Sequence, residues 1–271
     1  MSEPIDLEPQ KEKTSKLPMI VLSIIGVGVI GYCIFGAIVM LNPNLLSSVR
    51  EPTIPSALEP LLIENGTAQP TPSKRAQKLL DDSSQWNLVL DETFDTNINN
   101  WNMGAGSTDE IISTLDLKNG KYLWDITSKN TIMASVGPYE LEPFTDFRLS
   151  ADVKLTSGTY KPVYGIVFRS QTGGEYFFGI YGEGYMIEKR YNENFARIIE
   201  NVKSPAISPE ESNRLTVIAK GSYFVFLIND QFVGEMIDEE IKEGSVGFGV
   251  VFYNVDLQNS FEFDNFSLQT P

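Results

Sequence analysis

Apolar and polar residues alternate from Thr145 to Leu155 (TDFRLSADVKL). Phe147, Leu149, Ala151, Val153 and Leu155 fall on one side, and Arg148, Ser150, Asp152 and Lys154 on the other. A period of two marks a β-strand with one face on a core and the other toward water. Short runs of the same kind fill the chain from Trp86 onward, with turn residues between them. Asn119-Gly120 separates STLDLK from KYLWDIT, and Asn-Gly is the favoured pair for a two-residue hairpin. Gly173-Gly174, Lys220-Gly221 and Asn229-Asp230 punctuate later runs in the same way. The spacing predicts about a dozen strands over residues 85–271 and no helix of useful length. That makes the region an antiparallel all-β domain, a sandwich or jelly roll. No internal period of repeat size appears, which disfavours solenoids and propellers.

The N-terminal third follows a different pattern. Leu17–Leu41 (LPMIVLSIIGVGVIGYCIFGAIVML) holds no charged residue. As a helix it spans roughly 37 Å, enough to cross a bilayer with some tilt. A cleaved signal peptide has a shorter apolar run and a small-residue cleavage site, and Met40-Leu41-Asn42-Pro43 is a poor one. Tyr32 argues against a lipoprotein attached at Cys33, because a small residue is expected there. The run therefore reads as an uncleaved transmembrane helix. Lys11, Lys13 and Lys16 precede it, and Arg50 is the first cation after it. The positive-inside rule then places residues 1–16 in the cytoplasm and the C-terminal domain outside the cell. Residues 42–84, rich in Pro, Ser, Thr and Glu, read as a flexible linker, with one or two helical turns over Lys74–Asp82.

Composition narrows the chemistry. The chain has no histidine, so Ser-His-Asp and Cys-His catalysis and His-ligated zinc are excluded. Its one cysteine, Cys33, lies in the apolar run, so the outer domain has neither a disulfide nor a thiolate nucleophile. From Trp86 on, 14 Lys/Arg face 27 Asp/Glu, a net charge of −13. Such a surface repels nucleic acid and suits neutral sugars, cations or plain solubility.

Several phrases in order carry a family resemblance: LVLDETFDTNINNWNMG, KNGKYLWDI, TDFRLSADVKLTSGT, YGIVFRSQTGGEYFFGIYGEGYMIEKR, NRLTVIAKGSYFVFLINDQFVGEM, GSVGFGVVFYNVD and FEFDNFSL. The series, from Trp86 to Leu268, resembles the concanavalin A-like lectin/glucanase superfamily. It is most similar to the laminin-G-like and DUF1080-type (3-keto-disaccharide hydrolase-like) bacterial domains. The resemblance implies a concanavalin A-like β-sandwich. It does not single out a function, since this fold hosts lectins, glycosidases and adhesive modules alike.

Three candidate sites follow. Retaining glucanases of the superfamily carry Glu-x-Asp-x-x-Glu on one strand. The nearest phrase here, Glu262-Phe263-Asp264-Asn265-Phe266-Ser267, lacks the final acid, so no catalytic residue is expected. Sandwiches of this kind pair their first and last strands, which brings Glu92 toward Asp264. Hard oxygen ligands suit a structural Ca²⁺; no other cofactor is expected. The third site is an aromatic and charged sheet face. Arg169, Tyr181, Tyr185, Lys189 and Tyr191 are the candidate glycan contacts, with rings to stack on sugars and cations to bind hydroxyls. Gly165 and Gly179 leave room for close approach. The expected protein is a membrane-anchored, extracytoplasmic binding module for glycan or envelope ligands, not an enzyme. A glycoside-processing enzyme and an accessory subunit of an envelope complex are the rival readings.

Overall fold

The computed structural model describes residues 69–138, 141–158, 162–192 and 194–271. The expected cytoplasmic tail, the run Leu17–Leu41 and the first part of the linker lie outside the described residues. Among the described residues no helix is long and apolar enough to cross a membrane.

The alternating runs become strands. They are β1 (Asn87–Glu92), β2 (Gly104–Ser107), β3 (Ile111–Leu117), β4 (Tyr122–Ser128), β5 (Ile132–Val136), β6 (Phe147–Gly158), β7 (Val163–Gln171) and β8 (Gly174–Tyr181). Then come β9 (Gly184–Tyr191), β10 (Asn194–Lys203), β11 (Asn213–Lys220), β12 (Tyr223–Ile228), β13 (Gln231–Ile237), β14 (Ser245–Phe252) and β15 (Leu257–Thr270). A nine-stranded sheet runs β13-β12-β11-β6-β15-β4-β3-β2, with β1 also paired to β15. A six-stranded sheet runs β10-β9-β8-β7-β14-β5. Each pairing in the two sheets is antiparallel.

The core lies between the sheets and takes one residue in two from each strand. On β6 these are Phe147, Leu149, Ala151 and Val153, all sealed, as the alternation predicts. Phe248 of β14 stacks on Phe263 of β15 with ring centroids 4.3 Å apart, joining the two layers. Trp101 and Phe266 close on the same phenyl ring at 5.4 and 5.1 Å. Ring pairs of this kind add about 1 kcal/mol each beyond the area they bury. The expected pairing of first and last strands holds, with Glu92 opposite Phe266. Asn119 (φ 55°) and Gly120 (φ 66°) both take left-handed backbone in the β3–β4 turn, as a primed hairpin requires.

One boundary moves. The end of the expected linker is folded: α1 (Lys74–Ser83) is a ten-residue helix, not one or two loose turns. Ser73 caps it, its hydroxyl accepting from the Ala76 amide at 3.1 Å. Ala76 and Leu79 pack on Ile218, Tyr223, Val225 and Leu227, the outward residues of β11 and β12. A ten-residue helix is marginal alone in water, so this apolar seat stabilises it. The domain therefore includes α1 and the residues leading into it.

Candidate functional site

The site is best approached from the outward face of the six-stranded sheet, the side away from the core. Register aligns its residues in transverse rows. Met186, Gly179, Gly165, Gly249 and Ser135 stand side by side across β9, β8, β7, β14 and β5. In the row of Glu188 stand Arg197, Phe177, Val167 and Gly247. Three glycines abreast on neighbouring strands leave a shallow trough in the sheet surface. The Phe177 ring fills it: a Cβ on Gly179 would stand 2.6 Å from that ring, and one on Gly249 would stand 3.2 Å from it. Val163, Val167, Met186 and Val251 complete an apolar floor, with Met133, Tyr181 and Tyr253 packed against it.

A polar network lies on this floor. Glu188, 0% exposed, holds its centre. Tyr253, the residue after β14, donates its phenol hydrogen to Glu188 Oε1 at 2.7 Å. Arg190 Nη2 donates to Glu188 Oε2 at 3.2 Å, and Arg197 Nε lies 3.5 Å from Oε1. Arg190 Nη1 also donates to Glu175 at 2.9 Å, so one guanidinium bridges two carboxylates. The Arg197 guanidinium lies 5.2 Å from the Tyr253 ring and 5.6 Å from the Phe195 ring, within cation–π range. Burial, then the charge on Glu188, pushes the Tyr253 phenol well above its ordinary range, so it remains a donor at neutral pH.

These contacts also define the shape of the face. Two strands, β7 and β8, separate β14 from β9. Tyr253 lies six residues beyond Gly247, the β14 residue in the row of Glu188. At about 3.3 Å per residue the offset along the strand is roughly 20 Å in a flat sheet. The 2.7 Å hydrogen bond across that span combines the twist of the sheet with the bend at Tyr253, past the end of β14, which returns the phenol over the concave outward face.

The residues expected to bind glycan divide between faces. Of the five, Tyr181 alone packs on the concave floor, where it is half-buried. Tyr185 points into the interlayer and donates to the Val233 carbonyl at 2.6 Å. Tyr191 packs on the same core. Lys189 pairs with Asp238 and with Glu240 at 2.7 Å, beside the Tyr176 hydroxyl. Arg169 is a correction to the expected ligand face: it is 1% exposed and lies in the interior. By period two it shares a face with Gly165 and Val167. Its backbone is left-handed (φ 48°), and the β7–β8 register slips after Phe168. That bulge turns the side chain inward, where the guanidinium donates to the carbonyls of Ile241, Thr145 and Gly221.

The two carboxylates expected to bind calcium each have other partners. Glu92 is buried and accepts from the Phe94 amide (3.0 Å), Asn99 (2.6 Å) and the Trp101 indole (3.2 Å). Asp264 lies beyond a slip in the β15 register, bound to Lys121 and the Asn265 amide. Among the described residues no group of three or more Asp, Glu, Cys or His is placed to hold a metal. Sequence reasoning passed over Glu188, Arg190, Arg197 and Tyr253. Both parities of β9 are bulky, and it is the register of β9 on β8 and β7, with Glu188 in the row of Phe177 and Val167, that settles which one faces out.

A scan against protein-family models finds no match, and a comparison with curated protein sequences finds none either. Solved structures do resemble the domain. The GlcNAcα1-4Gal-releasing endo-β-galactosidase from Clostridium perfringens aligns with a TM-score of 0.53 at 10% identity, over 76% of this chain and 66% of that one. A laminarinase from Flavobacterium sp. aligns at 0.49 and 15% identity, over 68% of this chain and 100% of that one. The carbohydrate-binding module CBM66 from Bacillus subtilis aligns at 0.45 and 19%, over 54% of this chain and 86% of that one. Identities this low establish fold alone. The described domain is an all-β antiparallel two-sheet sandwich, a fold it shares with the endo-β-galactosidase.

Proposed function

We propose that this chain is a non-catalytic glycan-binding module held outside the cell by an N-terminal anchor over Leu17–Leu41. Its ligand surface is the concave face of the six-stranded sheet. One observation carries the reading: a fully buried Glu188 is held by Arg190, Arg197 and Tyr253, the Arg197 guanidinium lies near the Tyr253 and Phe195 rings, and Tyr181 packs on the same sheet face. Preset polar groups next to aromatic faces are what a sugar requires, since each pyranose has hydroxyl edges and an apolar C–H face.

The same geometry favours binding over hydrolysis. A glycosidase needs one carboxylic acid able to give up a proton and a second carboxylate across the sugar. Here Glu175 and Glu188 both accept from the one Arg190 guanidinium, so they are joined by a cation and do not face each other across an open cleft. The resemblance to laminin-G-like and DUF1080-type domains supports a saccharide ligand, and the apolar run supports the anchor.

A glycan-array screen of the full chain in detergent tests this. The expected result is a defined set of bound glycans, no release of reducing sugar from them, and loss of signal in Glu188→Gln. Failure to bind any glycan, or turnover of a bound one, overturns it.

A further inference from the structure

The concave face is closed over its own floor, and the group that closes it is Tyr253. The floor residues Val163, Val167, Phe177, Met186 and Val251 are all nearly sealed from solvent, with Phe177 1% exposed. Tyr253 packs on them and reaches from the end of β14 to Glu188 on β9. Its hydroxyl also lies 3.6 Å from the Met186 sulfur. Arg197, reaching in from β10 with 33% of its side chain exposed, places its guanidinium over the Tyr253 ring. The Glu188 carboxylate is thus met by donors from three strands or their ends, Arg190, Arg197 and Tyr253.

The chemistry of those donors is informative. Oε2 is held by Arg190, which is itself fixed by Glu175. Oε1 accepts from the Tyr253 phenol and, more loosely, from Arg197. A phenol hydroxyl and a sugar hydroxyl are the same kind of donor to a carboxylate. Displacing the phenol exchanges one neutral hydroxyl donor for another, whereas displacing Arg190 breaks an ion pair in a buried place. The exchange at Oε1 is therefore the cheaper of the two. It also uncovers the part of the apolar floor on which Tyr253 lies, where its hydroxyl meets the Met186 sulfur.

We propose that Tyr253 is a latch occupying the place of a ligand hydroxyl, and that the ligand is an uncharged saccharide. This rests on the glycan-binding reading above. On binding, a sugar hydroxyl takes over Glu188 Oε1, the Tyr253 ring swings aside, and the sugar's C–H face lies on the apolar floor that the ring leaves. No covalent bond changes. The ligand's neutrality follows from the charges on the network. Glu175, Glu188 and Glu200 face Arg190 and Arg197, and both cations are already paired with these acids. A uronate carboxylate there meets a net negative site. Tyr253 accordingly sets affinity by competing with the ligand, while Glu188 sets specificity by accepting from it.

The test uses the full chain and isothermal titration with four neutral sugars, glucose, galactose, mannose and N-acetylglucosamine, and with glucuronate as the acidic counterpart. The expected result is that at least one neutral sugar binds, glucuronate does not, and Tyr253→Phe binds that neutral sugar roughly fivefold more tightly, because one competing hydrogen bond has gone. Near-UV circular dichroism reports the ring's movement: the wild-type signal changes on binding and the change shrinks in Tyr253→Phe. Equal or weaker binding by Tyr253→Phe, with the wild type still binding, overturns the latch and leaves a sugar site in which Tyr253 is an ordinary contact. Binding of glucuronate as tight as that of a neutral sugar overturns the neutral-ligand assignment. Binding of none of the five probes by either protein overturns the latch, and a blank glycan array alongside it removes the glycan-binding reading as well.

Discussion

Arg169 holds its guanidinium 4.6 Å from the centre of the Phe224 ring, inside the sandwich. Its N–H groups reach the carbonyls of Thr145 and Gly221 at 2.6 Å and of Ile241 at 2.8 Å. Those oxygens belong to three separate stretches of chain, and only a planar fork of donors serves all three at once. Arg169→Ala is expected to leave buried carbonyls unpaired and to destabilise the domain by about 3–5 kcal/mol. Arg169→Lys recovers only part of this, because one ammonium cannot match the fork. Urea unfolding at neutral pH measures both. A midpoint for Arg169→Ala within error of wild type removes the structural role given to this residue.

Arg169 also marks where sequence reading stopped. The fold was legible because alternation is local: β6 shows its buried face in eleven residues, and Asn119-Gly120 shows its turn in two. A bulge is local as well, but no side chain announces one, and the left-handed backbone at Arg169 turns that side chain away from the face of Gly165 and Val167 and into the core. Contact between Tyr253 and Glu188 depends on accumulated sheet twist, which no local period encodes. α1 did leave a signal. β12 reads YFVFLI, six apolar residues without alternation, all buried. Such a strand needs cover on both faces, and the nearby stretch with apolar residues at helical spacing is RAQKLL.

The glycine trough predicts a graded response to added methyl groups. A Cβ on Gly165 runs into the backbone of Phe178 and Gly179, which cannot yield without distorting the β7–β8 pairing. On Gly249 the nearest atoms are the Val167 Cγ2 at 2.7 Å and the Met133 Cε at 3.1 Å, both side-chain ends. Gly165→Ala is therefore expected to cost more than Gly249→Ala, with the latter about 1–3 kcal/mol as ordinary overpacking. Thermal unfolding of the two variants ranks them. The reverse order shows that the β7–β8 backbone accommodates what the side chains cannot.

Helix α1 is expected to behave as part of the domain. Leu79→Ala removes a buried side chain from its seat on β11 and β12, and should cost about 2–3 kcal/mol. Ser73→Ala loses the cap and the 2.9 Å hydrogen bond to Glu235, for about 1 kcal/mol or somewhat more. A chain begun at Trp86 exposes Ile218, Tyr223, Val225 and Leu227 together, and should bind a hydrophobic dye and aggregate on heating. A fully soluble Trp86–Pro271 fragment with unchanged melting temperature shows the helix to be an ornament.

Alkaline pH probes the interlayer itself. An ordinary tyrosine titrates near about 10. Burial pushes Tyr164 and Tyr185 up to about 12, since a phenolate in the core loses its hydration. Between those two values the unfolded chain has released protons that the fold still holds, so rising pH favours unfolding. Stability from this source is complete below about pH 10 and is lost as pH climbs toward about 12. At about 1.4 kcal/mol per unit, the two residues together withdraw on the order of 5 kcal/mol, comparable with the whole stability of many domains. Tyr185→Phe should flatten the decline while costing about 1 kcal/mol at neutral pH, because the Val233 carbonyl loses its donor. Urea midpoints followed across this range, alongside tyrosinate absorbance, measure both effects. A midpoint that holds steady while the tyrosines ionise means that these phenols are not buried as the fold places them.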